Sequence, residues 1–209
     1  MNKDRLYFDI GCHLGYWSVK NVDNVDKIVA VEASNITYQL LLNNLVDKSE
    51  QIIKLNYAVG NFKLPYINFY QADNKLLSTT NLDWITNPSN RFYQTSFEVI
   101  KAPTITLDKL IEQYGMPDLI KIDVEGGELE CLLSLSQKTP MITFEWASET
   151  KELTFHCLSY LLQLGYSQFF IQNGDDFLFR PTKFYNISQC ITIINESKEK
   201  KDWGMIWVK

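Results

Sequence analysis

The sequence predicts an α/β fold: a doubly wound, mostly parallel sheet with an antiparallel final strand and a β-rich insertion. Three observations carry that expectation. Short apolar strands such as "LYFDI", "KIVAV" and "DLIKI" alternate with stretches of helical periodicity. The rhythm breaks between residues 57 and 106, where extended segments flank a polar, turn-rich loop. Several β-rich segments then close the chain, which suits antiparallel additions at one edge of a parallel sheet.

The elements follow in order. Residues 6–10 read as a buried strand, followed by a glycine turn and a short helix over 16–20. The β-branched run at 27–31 is a second strand. Ser34 is placed to cap the next helix, on which Ile36, Leu40, Leu41 and Leu45 make an apolar face. A third strand spans 52–55. "PYINFYQADN" and "FEVIKAPTITL" read as an antiparallel hairpin or flap at about 63–105, around the polar loop 76–90.

Thr106 then starts the helix "LDKLIEQYG", Gly115 ends it as a left-handed cap, and Pro117 marks a restart. "DLIKIDVEGGELECLLSLS" is strand, acidic turn and helix, and "MITFEW" is another strand. A helix over 151–164 places Leu153, Leu158, Leu161 and Leu162 among its apolar positions and closes at Gly165. "YSQFFIQN", "FLFRP" and "WGMIWVK" supply the late strands. No repeat, linker or low-complexity tract divides the 209 residues, so a single domain is expected.

Composition narrows the function classes. An apolar share of 45% and a charged share of 22% fit a soluble globular chain with a substantial core. The net charge of −5 offers no basic field for phosphate backbones, so nucleic acid is not an expected partner. Cys12, Cys131, Cys157 and Cys190 show neither C-x-x-C spacing nor a histidine at ligand spacing. That argues against a zinc site or a disulfide framework and for reduced thiols. With no signal-like or membrane-length apolar run, no membrane span and a cytoplasmic location are expected.

Chemistry concentrates in two places. In "FDIGCHLGYW" an acid and two glycines stand between strand and helix as D-x-G-x-x-x-G. In an open α/β sheet this is where ligands bind: Gly11 permits a tight turn, and the helix start favours an anionic group. A dinucleotide loop would read G-x-G-x-x-G instead. Asp9 would repel a pyrophosphate but suits an ammonium group. Glu32 ends the second strand at about the 20-residue spacing at which an acid receives ribose hydroxyls. An amino acid end and a nucleoside end together describe S-adenosylmethionine. A turn that merely needs glycine is the competing explanation for the loop alone.

The second place is "LIKIDVEGGELE", which crowds Lys121, Asp123, Glu125 and Glu128 at one strand end. A structural reading has Asp123 or Glu125 cap the helix that begins near Gly126. Glu128 suits that structural reading, whereas Asp123, on the strand expected beside the first, suits function.

At these residues the chain resembles the FkbM family of S-adenosylmethionine-dependent methyltransferases. "TLDKLIEQYGMPDLIKIDVEGGELECL" looks like the family signature, and "FDIGCHLGYWS", "VEAS" and "NYAVGN" are similar to its earlier motifs. The resemblance covers roughly residues 6–146 and thins through 65–100 and after 151. It implies a class I methyltransferase, Rossmann-like fold. Asp9, Gly11 and Gly15 would surround the methionyl part, Glu32 with Ala33 the ribose, and Ala58 the adenine. Asp123 would face donor and acceptor, and the implied reaction is O-methylation of a sugar, glycan or other natural-product hydroxyl. Family members usually carry residues ahead of the first motif; here the site would be open, closed by the segment 65–100, or completed by a partner in a homo-oligomer.

An aliphatic hydroxyl benefits from a general base, and Asp123, Glu125 and Glu145 are the acids expected to gather at adjacent strand ends. For Glu145 a strand-end residue bonded to backbone is the bland alternative. His13 is expected beside the cofactor, bonded to its methionyl carboxylate or to solvent, and His156 within a helix is expected to be structural. Paired acids can hold Mg²⁺, but no metal is the preferred reading. Two rivals stand against the enzyme. One is a non-catalytic module that keeps the fold and the cofactor site; the other is a nucleotide-dependent oxidoreductase, which the glycine spacing disfavours.

Overall fold

The computed structural model describes residues 5–46, 50–198 and 202–209. The chain opens with β1 (Leu6–Ile10), α1 (Tyr16–Asn21), β2 (Lys27–Glu32), α2 (Asn35–Asn44) and β3 (Ile52–Asn56). Ser34 caps α2 as its sequence suggests, its hydroxyl accepting from Thr37 N at 3.2 Å. The insertion follows: β4 (Ala58–Val59), β5 (Tyr66–Ala72), the short α3 (Leu82–Thr86) and β6 (Phe97–Ile105). Strands β5 and β6 pair antiparallel from Tyr66↔Pro103 to Ala72↔Phe97, and β4 adds parallel to β6.

The wound fold resumes with α4 (Leu107–Tyr114), β7 (Leu119–Ile122), α5 (Glu128–Leu132), β8 (Ile142–Ala147) and α6 (Lys151–Gln163). It closes with β9 (Phe169–Asn173), α7 (Ile187–Glu196) and β10 (Trp203–Val208). Among the described residues the main sheet has seven strands in the order β3-β2-β1-β7-β8-β10-β9. Strand β10 runs antiparallel to both of its neighbours, and the other pairs are parallel. The order reverses between β1 and β7, so the carboxyl ends of those two strands form the crevice where such sheets bind ligands.

Alternation along the strands builds a core on each face. Phe8, Ile10, Ile120, Ile122 and Phe144 pack with Leu110 of α4, Leu132 of α5, Leu158 and Leu161 of α6, and Ile194 of α7. Tyr7, Ile28, Ala30, Leu119 and Trp207 face the other way, against Trp17 of α1 and Leu41 of α2. Each fully buried large side chain contributes about 1.5–3 kcal/mol. All four cysteines are buried and free.

Five local expectations are corrected. On α2, Leu41 and Leu45 are buried, but Ile36 and Leu40 are each 49% exposed, because the helix presents only one edge to the sheet. On α6 Leu162 is likewise exposed. The loop 76–90 contains α3, begun by Asn81, whose side chain accepts from Asp83 N. Gly115 has a positive φ of 99° but an extended ψ of 172°, so it ends α4 without adopting the left-handed helical conformation. "FLFRP" is not a strand; Phe177 and Phe179 turn inward onto the sheet, and Arg180 lies over the rings of Tyr7, Trp17 and Trp207.

Candidate active site

The turn after β1 is built around one close approach. Gly11 has φ 76°, and a Cβ there would lie 1.8 Å from the carbonyl oxygen of Asp123, so β7 closes directly onto the turn. Gly11 N and Cys12 N both donate to Val31 O, and Asp123 N donates to Ile10 O, which locks the three strand ends together. Gly15 serves a different purpose: with φ 80° it opens α1, and a Cβ would strike Leu41 of α2 and Leu45 just past its end.

Glu32 ends β2 almost fully buried, its two carboxylate oxygens accepting from His13 N at 3.0 Å and Ser34 N at 2.8 Å. Burial pushes its carboxyl up to about 7, against the pull of those backbone donors. His13 is held at φ 50°, a conformation that non-glycine residues rarely adopt. Burial lowers its imidazole below the usual value, against Asp123, which raises it.

Asp9 lies deeper than the sequence suggests. It is fully buried, accepts from Ser18 Oγ at 2.6 Å, and faces Lys121 at 3.8 Å, so it stands behind the cleft instead of on its wall. Lys121, which stands among the charged residues of the second motif but has no role evident from sequence, is 3% exposed and donates to Asp123 Oδ2 at 2.9 Å. A lysine within an otherwise apolar strand was the available signal.

A cleft of about 660 Å³, counted out to solvent, runs along these strand ends. Its walls include Gly11, His13, Glu32, Ala33, Ala58 and Asp123, all anticipated from sequence. Gly15 and Asp9 are not on the wall. The insertion adds Lys75, Leu76, Ser78 and Thr80, which were not anticipated. An acid at the end of β2, small and apolar side chains at Ala33, Ala58 and Phe69, and a polar end at His13 and Asp123 fit a nucleoside joined to an amino acid.

At the polar end the acids converge. Carboxylate oxygens of Asp123, Glu125 and Glu145 all lie within 4.8 Å of one another. The register Lys121↔Thr143 and Ile122↔Phe144 brings Asp123 beside Glu145 at the ends of β7 and β8. Glu125 reaches the cluster through a left-handed backbone, φ 54°. Burial, then Asp123 and Glu128, holds the Glu125 carboxyl well above the usual range; burial, then Glu125 and Asp123, does the same for Glu145. Carboxylates with proton affinity raised in this way suit a general base, and three together could also hold a divalent cation.

The insertion covers this cluster. Thr79 Oγ1 donates to Glu125 O at 2.6 Å, Asn81 Nδ2 to Gly126 O at 2.9 Å, and Trp84 Nε1 to Glu125 Oε2 at 3.1 Å. Arg91 pairs with Glu149 beyond β8. The glycine pair in "EGG" answers to this contact: a Cβ at Gly126 would press on Trp84, and one at Gly127 on Thr80. Neither Asp123 nor Glu125 caps α5 through its side chain. Glu128 instead accepts from Val124 N and Gly126 N, which is the structural role expected of it.

Residues 9–167 match the family described as the Methyltransferase FkbM domain. No curated protein matches the chain. Among solved structures, precorrin-6y C5,15-methyltransferase from Geobacter metallireducens matches with a TM-score of 0.52 at 11% identity, over 100% of this chain and 81% of that one. Precorrin 8w decarboxylase from Methanobacterium thermoautotrophicum matches with a TM-score of 0.52 at 12% identity, over 100% of this chain and 83% of that one. TrmK from M. capricolum, in complex with S-adenosyl-homocysteine, matches with a TM-score of 0.51 at 12% identity, over 100% of this chain and 63% of that one. At these identities the likeness concerns the fold, which is that of class I methyltransferases. No described helix is long and apolar enough to cross a membrane.

Proposed function

The chain belongs to the FkbM methyltransferase family, and from that premise we propose that it is an S-adenosylmethionine-dependent O-methyltransferase acting on a hydroxyl of a sugar, glycan or other small molecule. One observation supports this reading above the others: a single cleft runs from Glu32 at the end of β2 to Asp123 and Glu125 beside the carboxylate cluster. The cofactor supplies a methyl group on a sulfonium, already activated for displacement.

The chain's own residues then have distinct tasks. Glu32 would accept the ribose hydroxyls, Ala33 and Ala58 would leave room for the flat base, and His13 and Gly11 would line the amino acid end. Much of the acceleration is positioning, since the acceptor oxygen must lie in line with the bond that breaks. As the methyl–sulfur bond of the cofactor broke and S-adenosylhomocysteine left as a neutral thioether, the acceptor's proton would pass to Glu125 or Glu145, whose raised proton affinity suits a general base. Trp84 and the insertion cover one side of the cluster.

The convergence of Asp123, Glu125 and Glu145 favours a second version, in which the three hold a divalent cation that lowers the alcohol's pKa. Methyl-labelled cofactor offered with a panel of sugars, oligosaccharides and simple polyols tests both. Alkali-stable label on a hydroxyl supports the reading. Abolition by chelator with rescue by Mg²⁺ selects the metal version, and cofactor binding without transfer to any acceptor supports a non-catalytic module.

A further inference from the structure

We infer that Lys121 is a positioning residue that, clamped between Asp9 and Asp123, sets the charge behind the methyl-donor end of the cleft; this rests on the cofactor assignment above. The lysine extends from β7 on the same face as Asp9, its register partner on β1. Its ammonium lies 2.9 Å from Asp123 Oδ2 and 3.8 Å from Asp9 Oδ1. Among the described residues Asp9 Oδ1 has no hydrogen-bond partner, so the lysine is the compensating charge for that buried oxygen. Asp175, on the loop after β9, adds a third acid to the field around Lys121, and Thr143 is its neighbour on β8.

With two carboxylates facing it at 2.9 and 3.8 Å, the buried ammonium has its countercharge at hand and Lys121 is read as the charged partner. Lys121 does not line the cleft, whereas Asp123 does, so the lysine acts through Asp123. One buried positive charge behind one wall carboxylate, balanced by a second carboxylate deeper still, fixes how strongly the wall attracts a cation. S-adenosylmethionine carries a sulfonium and S-adenosylhomocysteine does not. The ratio of their affinities therefore reads the charge at this point directly.

Calorimetry with both ligands on five proteins tests the inference: wild type, Lys121→Met, Lys121→Arg, Asp9→Asn, and the Lys121→Met/Asp9→Asn double variant. Lys121→Met is expected to raise the preference for S-adenosylmethionine over S-adenosylhomocysteine by about tenfold, and Asp9→Asn to lower it by a similar factor. The double variant is expected to return near the wild-type ratio, and Lys121→Arg to retain it. Equal loss of both ligands in the two single variants, with no change in ratio, would overturn the inference and leave Lys121 a structural residue. Should Lys121→Met fail to fold, the direction of the Asp9→Asn shift decides alone. Wild-type protein that binds neither ligand would overturn the cofactor assignment itself, a separate outcome.

Discussion

The indole Nε1 of Trp84 donates to Glu125 Oε2 at 3.1 Å, tying the insertion to the acidic turn after β7. Trp84 is 3% exposed and packs with Phe92 at a ring separation of 5.4 Å. Trp84→Phe keeps most of the packing and removes the hydrogen bond to a carboxylate, at a cost of about 1.5–3 kcal/mol. Thermal unfolding should show a drop of about 2–4 °C per kcal/mol, and methyl transfer should fall while cofactor affinity holds. Unchanged transfer with a lowered melting point would leave the contact purely structural.

Glycine at 11 is required by space as well as by backbone conformation. A Cβ at that position would stand 1.8 Å from Asp123 O, so Gly11→Ala must separate β1 from β7. Gly174, also at positive φ, has no atom of the described residues within 4 Å of the place a Cβ would take. Gly174→Ala should therefore cost only the backbone strain, about 1 kcal/mol, whereas Gly11→Ala should abolish cofactor binding or folding. Comparable melting curves for the two variants would contradict this account of the turn.

Stability should depend on pH in an unusual direction for carboxylates. Glu32 and Glu128 are each raised from 4.5 to about 7, burial being the main cause. Between those values the native state holds protons that the unfolded chain has released, so their contribution is full below about 4.5 and lost as pH rises through about 7. Unliganded protein should thus melt lower at about pH 8 than at about pH 5.5. Cofactor affinity should move oppositely, because ionised Glu32 is the better acceptor for ribose hydroxyls. Melting scans with and without S-adenosylhomocysteine across that range check both signs.

The division of labour between the strand ends gives a further test. Glu32→Ala should remove cofactor affinity, whereas Asp123→Ala should mainly remove turnover. Calorimetry paired with a transfer assay separates the two, and equal loss of binding in both variants would contradict the assignment.

Much of the fold is legible in the sequence, for identifiable reasons. Alternating apolar strands and capped helices are local signals, so β1, β2, β7 and the Ser34 and Thr106 caps follow from sequence. The meeting of Asp123, Glu125 and Glu145 could be anticipated only as adjacent strand ends, since their convergence within 4.8 Å depends on the β7–β8 register and on the φ 54° turn that brings in Glu125. Helix α3 is too short to show a helical period, and α7 hides in the β-branched run "ISQCITIINE", although Asn186 and Gln189 form a capping box that signals it. Lys121 is visible as a residue, yet its role emerges only when Asp9 lies beside it.

The most direct test of the proposed function is calorimetry of the wild-type protein with S-adenosylmethionine, S-adenosylhomocysteine and NAD, repeated with Glu32→Ala. The first two are expected to bind one per chain, NAD not to bind, and Glu32→Ala to lose both ligands. Binding of NAD alone, or cofactor affinity undisturbed in Glu32→Ala, would contradict the assignment.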